Sequence, residues 1–258
     1  NLGVPLLPGT NTTTSVEEAH AFLKNIDDGS SVILKALFGG GGRGARVVHK
    51  KEDLDAAFAS CVAEAEKAFG NGELYVEQYL SHARHIEVQI RGDGQGGLVH
   101  LGERDCTLQR RHQKLVEFAP APGLSPEIRD ALCRDALKMA AEVGYRGAAT
   151  FEFLLDSDKG DRYWFLEVNP RIQVEHTVTE EVSGVDLVQA QLRIAAGESL
   201  ADIGLSQAQF GTPSRYAVQV RLNMERLDST GEIFPASGTL SRYDMPSGPG
   251  VRIDGFGY

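Results

Sequence analysis

The chain has 258 residues, of which 41% are hydrophobic and 24% charged, and 26 Lys and Arg against 36 Asp and Glu leave a net charge of −10. These proportions exclude a disordered or fibrous chain, and no apolar run approaches the roughly 18 residues of a membrane helix. The acidic balance argues against general nucleic-acid binding, so a soluble globular chain with a real core is expected.

Ser15-x-x-Glu18 is a capping box that predicts a helix over 15–26. Residues 31–38 read as a strand, GGGGRG at 39–44 as a loop, and 45–49 as a second strand. A helix over 51–69 puts Leu54, Phe58, Cys61, Val62 and Ala65 on one face. Residues 73–80 are strand-like, and 84–93 alternate strictly, with Ile86, Val88 and Ile90 on one side. DGQGG at 93–97 is a hairpin turn, from which LVHLGERD returns. Ser125-Pro126 opens a helix that Gly144 ends. Residues 147–156 and 162–169 form a hairpin around DSDKG. Asp186 caps a helix closed by Gly197, residues 215–225 read as a long strand, and the tail after 227 as irregular β-structure. Hairpins interleaved with helices predict an α+β fold with mostly antiparallel strands.

Cys61, Cys106 and Cys133 form no C-x-x-C pair, so neither a disulfide framework nor a zinc knuckle is suggested, and a reducing compartment fits. Cys61 and Cys133 fall at core positions of predicted helices; Cys106 takes no assigned role. The start at Asn1 and the stop in a strand-like stretch suggest a fragment.

GGGGRG matches G-x-G-x-x-G, but ARVVH follows it as a strand where a dinucleotide site needs a helix. Ala45-Arg46 also stands where a Walker A loop needs Lys-Ser or Lys-Thr. A glycine hairpin can still fold over phosphates as a lid, with Lys35 reaching them from the preceding strand. The plainer alternative is a loose hairpin with a solvated lysine.

The 147–169 hairpin carries a geometric argument. A turn centred near Lys159–Gly160 sets Glu152 opposite Glu167 and Thr150 opposite Asn169, all on one face. Phe151, Phe153, Trp164 and Leu166 then take the core face. Opposed like charges are destabilising. A divalent cation would compensate them, with Asn169 extending its oxygen ligands; so would a neighbouring Arg or Lys, or plain solvation.

Two further runs stand out. ERDCTLQRRHQK at 103–114 gathers Arg104, Arg110, Arg111, His112 and Lys114, and NPRIQVEH at 169–176 carries Arg171, Gln173, Glu175 and His176. Arg171 and Lys114 could meet an anionic substrate, and Glu175 could act as a base. His85 and Glu87, taken alone, read as a solvent face.

In this order, the lysine strand, glycine hairpin, RHIEVQ, ERDCTLQRRHQK, GAATFEFL, FLEVNPRIQVEHTVTE and VQVRLN resemble biotin carboxylase, an ATP-grasp enzyme, over essentially the whole chain. The resemblance implies an ATP-grasp fold, with residues 11–79 as a mobile lid subdomain and 80–258 as an incomplete central catalytic subdomain. An N-terminal nucleotide-fold subdomain and the C-terminal end would be absent, which raises the expectation that the isolated chain is inactive. The implied reaction is MgATP-dependent carboxylation of carrier-bound biotin by bicarbonate, through carboxyphosphate and then CO₂.

By the same resemblance, Lys35 and Gly40, Gly41 and Gly42 would hold ATP phosphates. Glu77 and the Leu80 backbone would meet adenine, and His85, Gln109 and His112 would line the pocket near the ribose. Glu152 and Glu167, with Asn169 nearby, would bind Mg²⁺ or Mn²⁺. Lys114, Arg171, Gln173 and the Val174 backbone would hold bicarbonate, Glu175 would deprotonate it, and Arg221 would stabilise the biotin enolate. Position 78 is Gln where many relatives have Lys. The implied partners are a biotin carboxyl carrier domain and a carboxyltransferase, with neither nucleic acid nor membrane, and relatives often form homo-oligomers. The implied compartment is the cytoplasm, or the mitochondrial matrix in a eukaryote. The final acceptor (acetyl-CoA, propionyl-CoA, a longer acyl-CoA, methylcrotonyl-CoA, pyruvate or urea) is not encoded here. Two competing readings are another bicarbonate-activating ATP-grasp ligase, of the carbamoyl-phosphate synthase kind, and a non-catalytic nucleotide-binding module.

Overall fold

The structure is a computed structural model that describes residues 2–10, 12–26, 31–39, 44–111, 113–157 and 162–255. It divides into two compact units, Asn1–Val220 and Arg221–Tyr258.

The first unit begins with a small sheet and two helices. Helix α1 (Val16–Asn25) starts at the expected capping box: the Ser15 amide donates to Glu18 Oε2 at 2.8 Å, and the Glu18 amide to Ser15 Oγ at 3.3 Å. Strands β1 (Ser31–Ala36), β2 (Ala45–Val48) and β3 (Leu74–Tyr79) form an antiparallel sheet in the order β2-β1-β3. Helix α2 (Leu54–Phe69) covers it, and Ala19, Val32, Leu34, Leu54, Cys61 and Ala65 fill a core of their own. Burying such apolar side chains is the main force that holds this layer together.

Among the described residues, the larger sheet has the order β8-β7-β4-β5-β6-β9 and is antiparallel throughout. Its strands are β4 (Ala83–Asp93), β5 (Leu98–Arg110), β6 (Gln113–Ala119), β7 (Arg146–Asp156), β8 (Tyr163–Asn169) and β9 (Ala217–Val220). The β4–β5 turn closes on Asp93, whose Oδ1 accepts from the amides of Gln95 at 2.8 Å and Gly97 at 2.9 Å. Helix α3 (Pro126–Glu142) starts at Ser125, whose Oγ accepts from the Ile128 amide. It packs on Ile86, Val88, Ile90, Phe151 and Phe153, forming the main core with Cys133 inside it. Helices α4 (His176–Ser183) and α5 (Leu187–Ala195) follow β8, and Leu187 and Ile194 meet Val99 and Leu101 in a third cluster.

The N-terminal strap ties the two sheets together. Leu6 bridges to Phe165 of β8, and Gly9 bridges to Glu77 of β3. A Cβ on Gly9 would stand 2.9 Å from the Val76 carbonyl oxygen, so this close approach requires glycine.

The structure corrects several expectations. The basic run at 103–114 turns at Arg111, with φ 52°, into a strand that the sequence did not predict, β6. Of the long strand expected over 215–225, only Ala217–Val220 joins the large sheet. Its first residue pairs with Ala119, and the next partner would be Pro120, which has no N–H to offer. The chain resumes as β10 (Glu225–Leu227), paired with β11 (Ile233–Pro235) inside the second unit. Trp164 and Leu166 do not take the core face. The β7–β8 register runs Phe151↔Val168 and Glu152↔Glu167, then slips to Phe153↔Phe165 and Leu154↔Trp164. Leu166 is the extra residue of this bulge, so Tyr163, Phe165 and Val168 pack on the core instead. The turn centre near Lys159–Gly160 lies outside the described residues.

Candidate active site

Alternation along β4 sends Ile86, Val88 and Ile90 into the core and His85, Glu87 and Gln89 to the other face. The register then builds a row across four strands. Arg104 of β5 stands opposite Glu87 of β4, Glu87 opposite Glu152 of β7, and Glu152 opposite Glu167 of β8. Beside it runs a second row, Gln89, Thr150 and Asn169. The pairings of Glu152 with Glu167 and of Thr150 with Asn169 are those expected from the hairpin.

Lys114 reaches this row from β6. Its Nζ donates to Glu87 Oε2 at 2.5 Å, Glu152 Oε1 at 2.8 Å and Glu175 Oε1 at 2.7 Å. Burial works against the ammonium charge, but Glu87, Cys106, Glu152 and Glu175 outweigh it and hold the pKa well above the ordinary lysine value. Burial pushes the Glu87 carboxyl up, and Arg104 and Lys114 more than reverse this. Burial likewise opposes the charge of Glu152, while His85 and then Lys114 bring its pKa down to about 2. His85 Nε2 lies 3.1 Å from Glu152 Oε2, and its Nδ1 is 3.2 Å from Gln109 Nε2, which donates to the Cys106 carbonyl.

The segment after β8 brings the remaining groups. The Arg171 amide donates to the Asn169 carbonyl at 2.9 Å, and its exposed side chain to the Ile172 carbonyl. Gln173 is buried, and its Nε2 donates to Glu152 Oε1 at 3.2 Å. Among the described residues Gln173 Oε1 has no hydrogen-bond partner. Val174 is exposed, and Glu175, 2% exposed, flanks the N-terminus of α4. Asn169 Nδ2 donates to Glu152 Oε1 at 3.0 Å and lies 3.5 Å from Glu167 Oε1. Of the compensations considered for the pair, the structure shows two: Lys114 neutralises Glu152, and Glu167 stands open to water.

Lys35 lies in the small sheet, ion-paired with Glu77 and 5.9 Å from the Tyr75 ring centroid. Burial, then the charges of Glu77 and Glu167, push the Tyr75 hydroxyl up to about 12. Leu80 directly follows β3. Gly40, Gly41, Gly42 and His112 lie outside the described residues, and Arg221 opens the second unit.

His85 and Glu87 are not a solvent face: Glu87 is fully buried. Glu87, Gln89, Thr150 and Thr179 are site residues that the sequence reading missed, and Arg104 appeared there only as one charge in a run. The RHIEVQ alternation carried part of the signal, since it put His85, Glu87 and Gln89 on one face. It could not say that Lys114 of β6 and Thr179 of α4 reach the residues on that face.

The family model described as "Carbamoyl-phosphate synthase L chain, ATP binding domain" matches residues 1–203. Pyruvate carboxylase of Aspergillus niger is 48% identical over 253 residues, covering 98% of this chain and 21% of the relative. Mitochondrial pyruvate carboxylase of Homo sapiens is 47% identical with the same coverage. Among solved structures, the biotin carboxylase–beta-gamma-ATP complex of Campylobacter jejuni superposes with a TM-score of 0.86 at 42% identity, over 96% of this chain and 53% of that one. The biotin carboxylase domain dimer of Hydrogenobacter thermophilus 2-oxoglutarate carboxylase, in complex with MgADP, ADP and bicarbonate, gives 0.87 at 45% identity, over 96% and 52%. The chain therefore spans about a fifth of the pyruvate carboxylases and about half of the biotin carboxylases that it matches.

Proposed function

The chain belongs to the family of the carbamoyl-phosphate synthase L chain ATP binding domain, and on that premise we propose that it carries the biotin carboxylase half-reaction of a biotin-dependent carboxylase. Its fold is that of the ATP-grasp biotin carboxylases. In this reading residues 11–79 are the lid and 80–258 part of the central subdomain. The observation that carries it is the Lys114 ammonium gathering Glu87, Glu152 and Glu175 beside Gln173. That arrangement sets a proton-accepting carboxylate, Glu175, directly beside a cation that a bicarbonate could meet.

ATP would lie between the two sheets, its phosphates on Lys35 and the Gly40–Gly42 segment, its adenine at Glu77 and Leu80. His85, Gln109 and His112 would line the nucleotide pocket near the ribose, and Lys114, Arg171, Gln173 and the Val174 backbone would hold bicarbonate. Glu175 would take the bicarbonate proton as a bicarbonate oxygen attacks the γ-phosphorus, giving carboxyphosphate and ADP. Lys114 would shield the resulting charge. Glu152, Glu167 and Asn169 would hold Mg²⁺ or Mn²⁺, which supplies charge neutralisation at the phosphates when bound. Arg221 would meet the biotin, delivered by a carrier domain and passed on to a carboxyltransferase. No helix among the described residues is long and apolar enough to cross a membrane, and the human relative is mitochondrial by name. A cytoplasmic or mitochondrial-matrix site, and a dimer like that of the Hydrogenobacter domain, belong to the same proposal.

The test is fixation of labelled bicarbonate on free biotin with MgATP in the full chain, beside Glu175→Gln. Biotin-dependent label that collapses in the variant is the expected result. Since the family model is named for carbamoyl-phosphate synthase, a parallel reaction with ammonia tests that reading. ATP cleavage driven by ammonia without labelled biotin would replace the proposal, and nucleotide binding without cleavage would favour a non-catalytic module.

A further inference from the structure

Arg104 is fully buried in β5 yet carries a full charge. Its Nε donates to Glu87 Oε1 at 2.6 Å, Nη1 to Gln89 Oε1 and Thr179 Oγ1 at 2.8 Å each, and Nη2 to Thr150 Oγ1 at 3.2 Å. These acceptors come from β4, β7 and α4. Glu87 is therefore held on both sides, with one oxygen on the guanidinium and the other on Lys114.

We propose that Arg104 is a positioning residue for the reaction. It fixes the Glu87 carboxylate, and Glu87 in turn fixes Lys114 against Glu152 and Glu175. The Thr179 bond pins α4, whose N-terminal flank carries Glu175, to the same frame. This inference rests on the functional reading above and adds to it a residue that touches no substrate.

The chemistry suits the role. A guanidinium is planar, stays protonated and donates in fixed directions, so one side chain can orient acceptors from three elements at once. A lysine is a point charge on a flexible stem. It could keep the charge beside Glu87 but not the fork. Buried ion pairs often contribute little net stability against an apolar filling, so stability alone is a weak account of a charge placed here. A positional error of about 1 Å in a catalytic group can cost about 100-fold in rate, which is the scale on which such a frame acts.

The experiment uses the full chain and bicarbonate-dependent ATP cleavage, with kcat normalised to sites titrated by a non-hydrolysable ATP analogue. The variants are Arg104→Lys, Glu87→Gln and the two combined, with Thr179→Val and Thr150→Val as near-isosteric removals of single bonds. Arg104→Lys is expected to lower kcat by about tenfold or more and leave KM for MgATP within about twofold. On the Glu87→Gln background the same change should add less than about twofold, because its effect runs through Glu87. Thr179→Val should lower kcat per titrated site about threefold, with the modest fall in melting temperature that one lost buried hydrogen bond brings.

An active wild type with Arg104→Lys at full rate, or with fully additive effects, overturns the inference alone. A wild type without bicarbonate-dependent cleavage overturns the functional reading and the inference with it. If Arg104→Lys binds no nucleotide because it does not fold, the threonine variants decide. Wild-type kcat in both overturns the inference; a loss that vanishes on the Glu87→Gln background sustains it.

Discussion

Glu87 and Glu152 stand directly opposite each other on β4 and β7, and the Lys114 ammonium bridges them at 2.5 and 2.8 Å. Two buried carboxylates at ladder distance repel, and the cation between them joins Arg104 on Glu87 and His85 on Glu152 in letting both ionise. Lys114→Met should therefore do two things. Leaving these carboxylates unpaired should cost about 3–5 kcal/mol in chemical denaturation. Bicarbonate-dependent ATP cleavage should fall by about 100-fold or more, read by a coupled ADP assay. A variant with wild-type rate would remove Lys114 from the chemistry.

The depressed carboxyl of Glu152 links stability to pH. Its pKa is about 2 in the folded chain against 4.5 ordinarily, so its contribution is present above about 4.5 and is lost as pH falls from there towards 2. Glu87 is shifted in the same direction. The melting temperature should drop across that acid window, and Glu152→Gln should flatten the drop. An equally steep drop in the variant would place the linkage elsewhere.

Lys35 and Glu77 are partly exposed partners, so their ion pair should add less than about 1 kcal/mol to stability. Lys35→Met should accordingly melt close to wild type and raise KM for MgATP by about tenfold. An unchanged KM would leave Lys35 as the solvated lysine of a plain hairpin.

Glu167 is exposed, and its removal should shift stability by no more than about 0.5 kcal/mol. If it shares a cation with Glu152, Glu167→Gln should raise the Mg²⁺ concentration for half-maximal activity by about tenfold at fixed ATP. Titrating Mg²⁺ and Mn²⁺ in the two proteins checks this, and superimposable curves would exclude Glu167 as a ligand.

The bulge at Leu166 makes a comparison on one strand. Phe165 packs on Phe153 with ring centroids 5.9 Å apart, whereas Leu166 is the unpaired residue. Phe165→Ala should cost about 3–5 kcal/mol and Leu166→Ala clearly less, measured by denaturant midpoints. The reverse order would restore the unbulged register.

What was legible in the sequence was local. Hairpin symmetry put Glu152 opposite Glu167, because a two-residue period and a turn centre suffice for that. The same symmetry failed at the very next pair, since nothing in the sequence announces the extra residue at Leu166. Alternation in RHIEVQ told which residues share a face but not that the face is covered. That depends on Lys114 of β6 and on α4, two elements that the sequence did not announce. Arg104 was lost for this reason: in a run of cations, burial is decided by which acceptors from other elements close around the charge. Lys114, Arg171, Gln173 and Glu175 stood out in the two runs, and the fold brings Lys114, Gln173 and Glu175 together around Glu152 through side chains that reach it from β6 and from the segment after β8.

The row Arg104, Glu87, Glu152, Glu167 runs at right angles to the chain, and its members become steadily wetter. Arg104 and Glu87 are fully buried, Glu152 is 4% exposed, and Glu167 is open to water. It is a dielectric gradient laid across four strands. At the wet end an ion can shed its hydration shell gradually as it arrives. At the dry end each charge is set by its neighbours alone, and solvent fluctuations barely reach it. The two ends of the row, Arg104 and Glu167, are thereby kept about three strand spacings apart, roughly 14 Å, by nothing more than the pitch of a β-sheet.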